Sequence, residues 1–222
     1  MKNRHIVLDV ETGGLNNLKH PITQLALQVI NNENLKILST YDTFVKPYYI
    51  SEAGGKLGYE ITAEALKRTQ VTMTQINGGI LYSVLIKKLI EIFTENTNRG
   101  GRFSYKPILV GHNITFDTGM LEILFALFNK DLYDYIEKYV VDTMYEMQRL
   151  EGHIRSKEDK VKFDLVNCCE RMGIKLKGAH GAPADVAATG KLFIAITKRM
   201  QNKQNGEEGE EAAESEKRFF EF

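Results

Sequence analysis

Two carboxylates with one residue between them stand at the end of the apolar run Ile6-Val7-Leu8-Asp9-Val10-Glu11. On a strand, side chains two apart leave by the same face, so Asp9 and Glu11 point together. Held close and out of water they repel and lose hydration, a cost that a cation would offset. An all-oxygen donor set favours Mg²⁺ or Mn²⁺ over zinc. The alternative is a strand end reaching solvent before the Gly13-Gly14 turn, with both acids hydrated. Asp-x-Glu alone does not separate the two.

Two further acids sit where a helix should begin. In Leu109-Val110-Gly111-His112-Asn113-Ile114-Thr115-Phe116-Asp117 a short apolar strand closes at the glycine and the carboxylate follows on the next helix. Open α/β sheets bind ligands at such strand ends, although any acid is favoured at a helix N-terminus. In Gly178-Ala179-His180-Gly181-Ala182-Pro183-Ala184-Asp185, Pro183 fits a first helical turn and places Asp185 within it. His180 lies in the loop before it, and an imidazole titrating near neutrality can take a proton from water.

The elements that must position these groups follow from periodicity and turn chemistry. After the first strand come strands at 24–30 and 35–45, joined by short turns into an antiparallel meander. Thr62 caps a short helix. A longer helix covers 80–93 with Leu81, Val84, Leu85 and Leu89 on one face, and 96–106 is a polar loop. Strands at 108–110 and 138–143 then alternate with helices at 117–128, through Met147 and Leu150, at 163–172 and at 182–200. The class is α/β, a mixed five-stranded sheet flanked by helices.

The chain of 222 residues, 43% hydrophobic and 26% charged, fits one domain over 1–202 with an acidic tail over 203–222. The N-terminus runs straight into a strand without a signal peptide, and no apolar stretch is long enough to span a bilayer, so a cytoplasmic location is expected. Cys168 and Cys169 are neighbours on a helix with no other cysteine to pair with, which predicts buried thiols. The zero net charge divides unevenly: residues 206–222 carry −5 and the rest +5. A mildly basic body is compatible with nucleic acid. Around His180 lie His153, Arg155, Lys157, Lys160, Lys162, Lys175 and Lys177, either a solvated face or a track for a phosphate backbone. The tail has too little apolar content to order itself, yet it ends Phe219-Phe220-Glu221-Phe222. That tip either docks on the body or tethers the chain to a replication or repair partner.

Asp-x-Glu on the first strand, Asp117 after His-Asn-x-x-Phe, and His-x4-Asp before the last helix resemble, in order and context, the DnaQ-like (DEDDh) 3′–5′ exonuclease superfamily. This group includes DNA polymerase III epsilon subunits and RNase T. The resemblance runs from Ile6 to Met200 and implies a ribonuclease-H-like fold. It also implies two Mg²⁺ (or Mn²⁺): Asp9, Glu11 and Asp185 would hold one, Asp9 would bridge to the second, and Asp117 would reach that one directly or through water. His180 would deprotonate the attacking water. Thr12 and Gly13 would offer backbone N–H groups to the terminal nucleotide, Leu15 would wedge against the last bases, and Asn113 and Phe116 would support the second acidic site. The segment from Glu64 to Thr72 lies where relatives line the terminal-nucleotide pocket, but departs from their pattern. The implied activity is release of nucleoside 5′-monophosphates from single-stranded or frayed DNA 3′ ends, in proofreading or repair. The alternatives are an exoribonuclease like RNase T and oligoribonuclease, and a non-catalytic nucleic-acid-binding polymerase accessory module.

Overall fold

The computed structural model describes residues 4–47, 60–100, 103–151, 161–176 and 181–205. Three strands open the chain: β1 (Arg4–Thr12), β2 (Ile22–Asn31) and β3 (Ile37–Lys46). Two short helices follow, α1 (Ala63–Thr69) and α2 (Met73–Gly78), then β4 (Ile80–Leu81) and α3 (Tyr82–Glu95). A small hairpin of β5 (Asn98–Gly100) and β6 (Phe103–Tyr105) leads into β7 (Ile108–Gly111) and α4 (Thr115–Ala126). After a 3₁₀ turn at Leu132–Asp134 come β8 (Val141–Asp142), α5 (Thr143–Leu150), α6 (Leu165–Arg171) and α7 (Ala182–Asn205).

The main sheet has the order β4-β3-β2-β1-β7-β8. β1 is antiparallel to β2 and parallel to β7, so it is hydrogen-bonded on both edges and covered on both faces. Its alternation assigns the faces. Ile6, Leu8 and Val10 join a core with α3 and α4 that includes Leu85, Leu89, Phe93, Leu121 and Phe125. Val7 points the other way, with Ala26, Ile30 and Val110, against Ala182, Val186 and Phe193 of α7. Asp9 and Glu11 share the parity of Val7, which directs both toward the α7 side of the sheet.

The parallel ladder between β1 and β7 runs from His5↔Ile108 to Val7↔Val110 and stops there. β1 continues to Thr12 with β2 alone beside it. This overhang leaves a notch at the strand ends, and α4 and α7 both begin next to it.

The structure corrects four expectations. The sheet has six strands, not five, because Ile80 and Leu81 pair in parallel with Val45 and Lys46. Two residues give no alternation to read, and their apolar character had merged them with the following helix. That helix begins at Tyr82, whose hydroxyl accepts the Ile22 N–H at 2.8 Å. It buries Tyr82, Leu85, Ile86, Leu89, Ile92 and Phe93, while Leu81 and Val84 of the expected face stay 44% and 49% exposed. The polar stretch 96–106 holds the β5–β6 hairpin, and the strand expected over 138–143 shortens to Val141–Asp142. The Thr62 cap forms as expected, accepting from Ala65 N at 3.1 Å. Cys168 and Cys169 are buried thiols, each pushed by burial up to about 11. α7 runs through residue 202 to Asn205, and the tail over 206–222 lies outside the described residues. No helix among the described residues is long and apolar enough to cross a membrane.

Candidate active site

The overhanging end of β1 forms the floor of a cleft of about 790 Å³. Asp9 and Glu11 rise from that floor. Asp185 enters from the first turn of α7, its backbone N–H donating to Gly181 O at 3.1 Å. Gly181 has φ +148°, a conformation that suits glycine. One carboxylate oxygen from each of Asp9, Glu11 and Asp185 lies within 4.8 Å of the others. The sequence separates these residues by up to 176 positions, and the sheet's parity with the start of α7 brings them together.

Asp117 comes from the first turn of α4 and is only 5% exposed. Its Oδ1 accepts the Val10 N–H at 2.9 Å. That N–H lies in the part of β1 beyond its pairing with β7, so the carboxylate takes the place of a missing strand. Asp117 is not one of the three acids within 4.8 Å, but charge repulsion couples it to Asp9 and Glu11.

The electrostatics follow from this crowding. Burial first, then the charges of Asp117, Glu11 and Asp185, raise Asp9 well above the usual carboxylate range. Burial and Asp185 push Glu11 up to about 7, opposed by the Arg68 guanidinium. Burial also pushes Asp117 up to about 7, with the Val10 N–H pulling the other way. Desolvation and mutual repulsion are the conditions a multivalent cation relieves, and the donors are all carboxylate oxygens, so the residues present fit a hard divalent metal.

The other expected site residues have varied surroundings. Thr12 lines the cleft and is buried, its Oγ1 donating to Gly14 O at 2.8 Å. Leu15 is at the cleft mouth and 78% exposed. Asn113 and Phe116 line the opposite wall. Asn113 has φ +64°, held by its N–H donating to Asp142 Oδ1 at 2.9 Å, and that carboxylate also caps α5 at Met144 N. Gly13 is different. Its N–H is committed to Pro21 O at 2.8 Å, and its carbonyl accepts from Thr62 N and Thr62 Oγ1 at 2.9 and 3.1 Å. It fastens the end of β1 to the start of α1 and does not line the cleft. His180 lies outside the described residues, and of the basic run around it only Lys162 and Lys175 are within them.

His20 and His112 also line the cleft without a role expected from the sequence, and Arg68 lines it from the segment 64–72 whose pattern departs from that of relatives. Glu64 and Arg68 stand four apart on α1, a spacing that puts both on one face, and both line the wall. His112 follows Gly111 directly. Its Nδ1 lies 2.9 Å from Thr143 Oγ1 and its Nε2 2.8 Å from Phe163 O, joining the end of β7 to α5 and to the approach to α6. Burial holds its imidazole below the ordinary histidine value.

No protein-family model matches the chain. In sequence it is similar to the PolC-type DNA polymerase III of Caldanaerobacter subterraneus subsp. tengcongensis, 25% identical over 201 residues covering 90% of this chain and 12% of that one. The PolC-type DNA polymerase III of Lactococcus lactis subsp. lactis is 26% identical over 206 residues, covering 92% and 11%. The chain thus spans about an eighth of the length of these relatives. In fold it is similar to E. coli Exonuclease I in complex with a dT13 oligonucleotide, with a TM-score of 0.67 and 19% identity over 92% of this chain and 43% of that one. A 3′-exonuclease described in 3′-end specific recognition of a histone mRNA stem-loop gives 0.67 and 16%, over 88% and 63%. The chain is thus similar in sequence, over nine tenths of its length, to a segment of PolC-type DNA polymerase III, and it shares its fold with Exonuclease I and the 3′-exonuclease.

Proposed function

We propose that the protein is a metal-dependent 3′–5′ exonuclease that releases nucleoside 5′-monophosphates from single-stranded or frayed DNA ends. The observation that carries this reading is the convergence of Asp9, Glu11 and Asp185 oxygens within 4.8 Å on the floor of an open cleft. The similarity to a segment of PolC-type polymerases supports DNA as substrate and replication as the setting.

Asp9, Glu11 and Asp185, with Asp117 beside them, would hold two Mg²⁺ or Mn²⁺. Bound there, the cations would neutralise charge on the attacking and leaving oxygens of an in-line displacement at phosphorus. The protein's own groups do the rest. Asp117, anchored on the Val10 N–H, keeps the floor of the cleft rigid. Leu15, exposed at the mouth, presents an apolar side chain that wedges against the last base. Thr12, Asn113 and Phe116 shape the walls around the terminal nucleotide. Arg68, whose positive charge already reaches Glu11, faces the incoming phosphate backbone. His180 accepts the proton of the attacking water.

A second reading, trimming of RNA 3′ ends, draws support from the fold likeness to the 3′-exonuclease of the histone mRNA stem-loop structure. Discrimination would rest on contacts to the 2′-hydroxyl. Both readings meet one experiment: 5′-labelled DNA and RNA oligomers of matched sequence, single- and double-stranded, with Mg²⁺ or Mn²⁺ and with excess EDTA. A ladder shortening from the 3′ end of DNA, faster on single strands and stopped by EDTA, is expected. Hydrolysis that persists in EDTA, or cuts at internal positions only, overturns the proposal, and a preference for RNA replaces it with the second reading.

A further inference from the structure

On the far side of the molecule from β3, a groove of about 260 Å³ lies between α5 and the C-terminal half of α7. Val141, Phe193, Ile196 and Met200 make it mainly apolar, with Thr197 and Glu146 at its edge. Glu146 is ion-paired with Arg149 at 2.7 Å, and Arg149 also reaches Met200 Sδ at 3.1 Å. The groove shares no lining residue with the catalytic cleft.

We propose that this groove receives the segment Phe219-Phe220-Glu221-Phe222 of the same chain. Residues 206–222 lie outside the described residues, so the inference stands on the groove, on chain length and on charge. Helix α7 ends at Asn205, five residues beyond Met200 and twelve beyond Phe193. At 1.5 Å per residue the groove lies about 8 to 18 Å back along the helix axis. Thirteen residues, 206–218, connect Asn205 to Phe219. A coil of that length spans about 20 Å on average, and fully extended about 45 Å. The span therefore matches the distance, which is the condition for a high effective concentration.

Size and charge agree. An apolar cavity of about 150 Å³ is enough to hold a benzene ring, so 260 Å³ takes one to two phenyl groups. The connecting segment holds six glutamates between 207 and 216, and the C-terminal half of α7 exposes Lys198 and Arg199. An acidic tether is drawn back along a helix that carries Lys191, Lys198, Arg199 and Lys203 and no acid after Asp185.

The test uses the full chain labelled with ¹³C-methyl methionine, read by NMR. In the wild type the Met200 methyl should be shifted upfield by aromatic rings above it, and Phe219→Ala/Phe220→Ala/Phe222→Ala should move it downfield. The methyl of Met120, buried on the other face of the sheet, serves as the unmoved control. Ile196→Glu in the groove should release the tip in the same way, reported by ¹⁹F-labelled phenylalanine at 220 in the otherwise native chain. A Met200 resonance identical in wild type and the triple variant overturns the proposal and leaves the tip to another protein. A Met200 shift that appears only as protein concentration rises, with a dimer in sedimentation, overturns it in favour of the groove of a second copy.

Discussion

Asp117 Oδ1 accepts the Val10 N–H at 2.9 Å, within the one-residue gap that separates Asp9 from Glu11. One side chain thus does two things: it supplies the hydrogen bond that β1 loses where β7 stops, and it adds negative charge to the cleft floor. The two roles separate by substitution. Asp117→Asn keeps an oxygen acceptor and removes the charge, so it should fold with a Tm at or above that of the wild type in metal-free buffer. Asp117→Ala strands a buried N–H, which costs about 1–3 kcal/mol. Both should lose exonuclease activity. Thermal unfolding of the two variants side by side checks it, and equal Tm values would remove the hydrogen bond from the argument.

The crowded acids make stability depend on pH. Burial and repulsion raise Asp9, Glu11 and Asp117 in the folded chain, the last two to about 7, while in the unfolded chain such groups titrate near 4. Between about pH 4 and 7 the folded state therefore binds more protons, so stability falls as pH rises through that window. For Glu11 and Asp117 the contribution is complete below about pH 4 and gone above about pH 7. In metal-free buffer the Tm of wild type relative to Asp9→Asn/Glu11→Gln should decline from pH 4.5 to 7.5. Saturating Mg²⁺ or Mn²⁺ at pH 7.5 should raise the wild-type Tm and leave the double variant unmoved. A difference that stays flat with pH would contradict the raised carboxyls.

His180 as proton acceptor should govern rate more than metal affinity. His180→Ala is expected to lower kcat by about 10²- to 10⁴-fold while metal binding, measured by calorimetry, stays close to wild type. Lost metal binding with activity recovered at saturating Mg²⁺ would assign His180 a structural role.

Gly13 holds β1 to α1 in a space with no room for a side chain. A Cβ there would lie 2.8 Å from Glu60 O and 2.8 Å from Pro21 Cδ. Gly13→Ala should destabilise the protein by about 1–3 kcal/mol through overpacking. Because α1 carries Glu64 and Arg68 on the cleft wall, KM for an oligonucleotide should rise more than kcat falls. A variant with wild-type stability would show that the loop absorbs the methyl group.

The sequence made the local relationships plain. The period of two set Asp9 and Glu11 side by side, and Thr62 announced the start of α1. The arrival of Asp117 and Asp185 at the same cleft was legible only through the order of motifs, because no local rule carries a contact across 107 residues. Where tertiary context decides, the reading failed. The phase of α3 is set by Tyr82 bonding to Ile22, which turned Val84 outward despite its apolar character. The resemblance implied that Gly13 offers its N–H to the terminal nucleotide, and in the fold that N–H donates to Pro21 O, a contact no local pattern announces. Arg68 stood in a segment whose place along the chain matched a pocket wall but whose sequence matched no motif, so its own position there had no signal beyond its spacing from Glu64.

The assembly of the site from residues 9, 117 and 185 has a consequence for the protein during its synthesis. β1 and β2 are synthesised well before α7, yet among the described residues it is α7 that covers the face of the sheet carrying Val7, Ala26 and Ile30. At about 5–20 residues per second, that face waits on the order of 10–30 s for its cover. Through that interval the nascent chain presents an uncovered apolar sheet face and two of its acids without the third. The cleft is therefore complete only once α7 has emerged, and the vulnerable period for misassociation is the one before α7 appears.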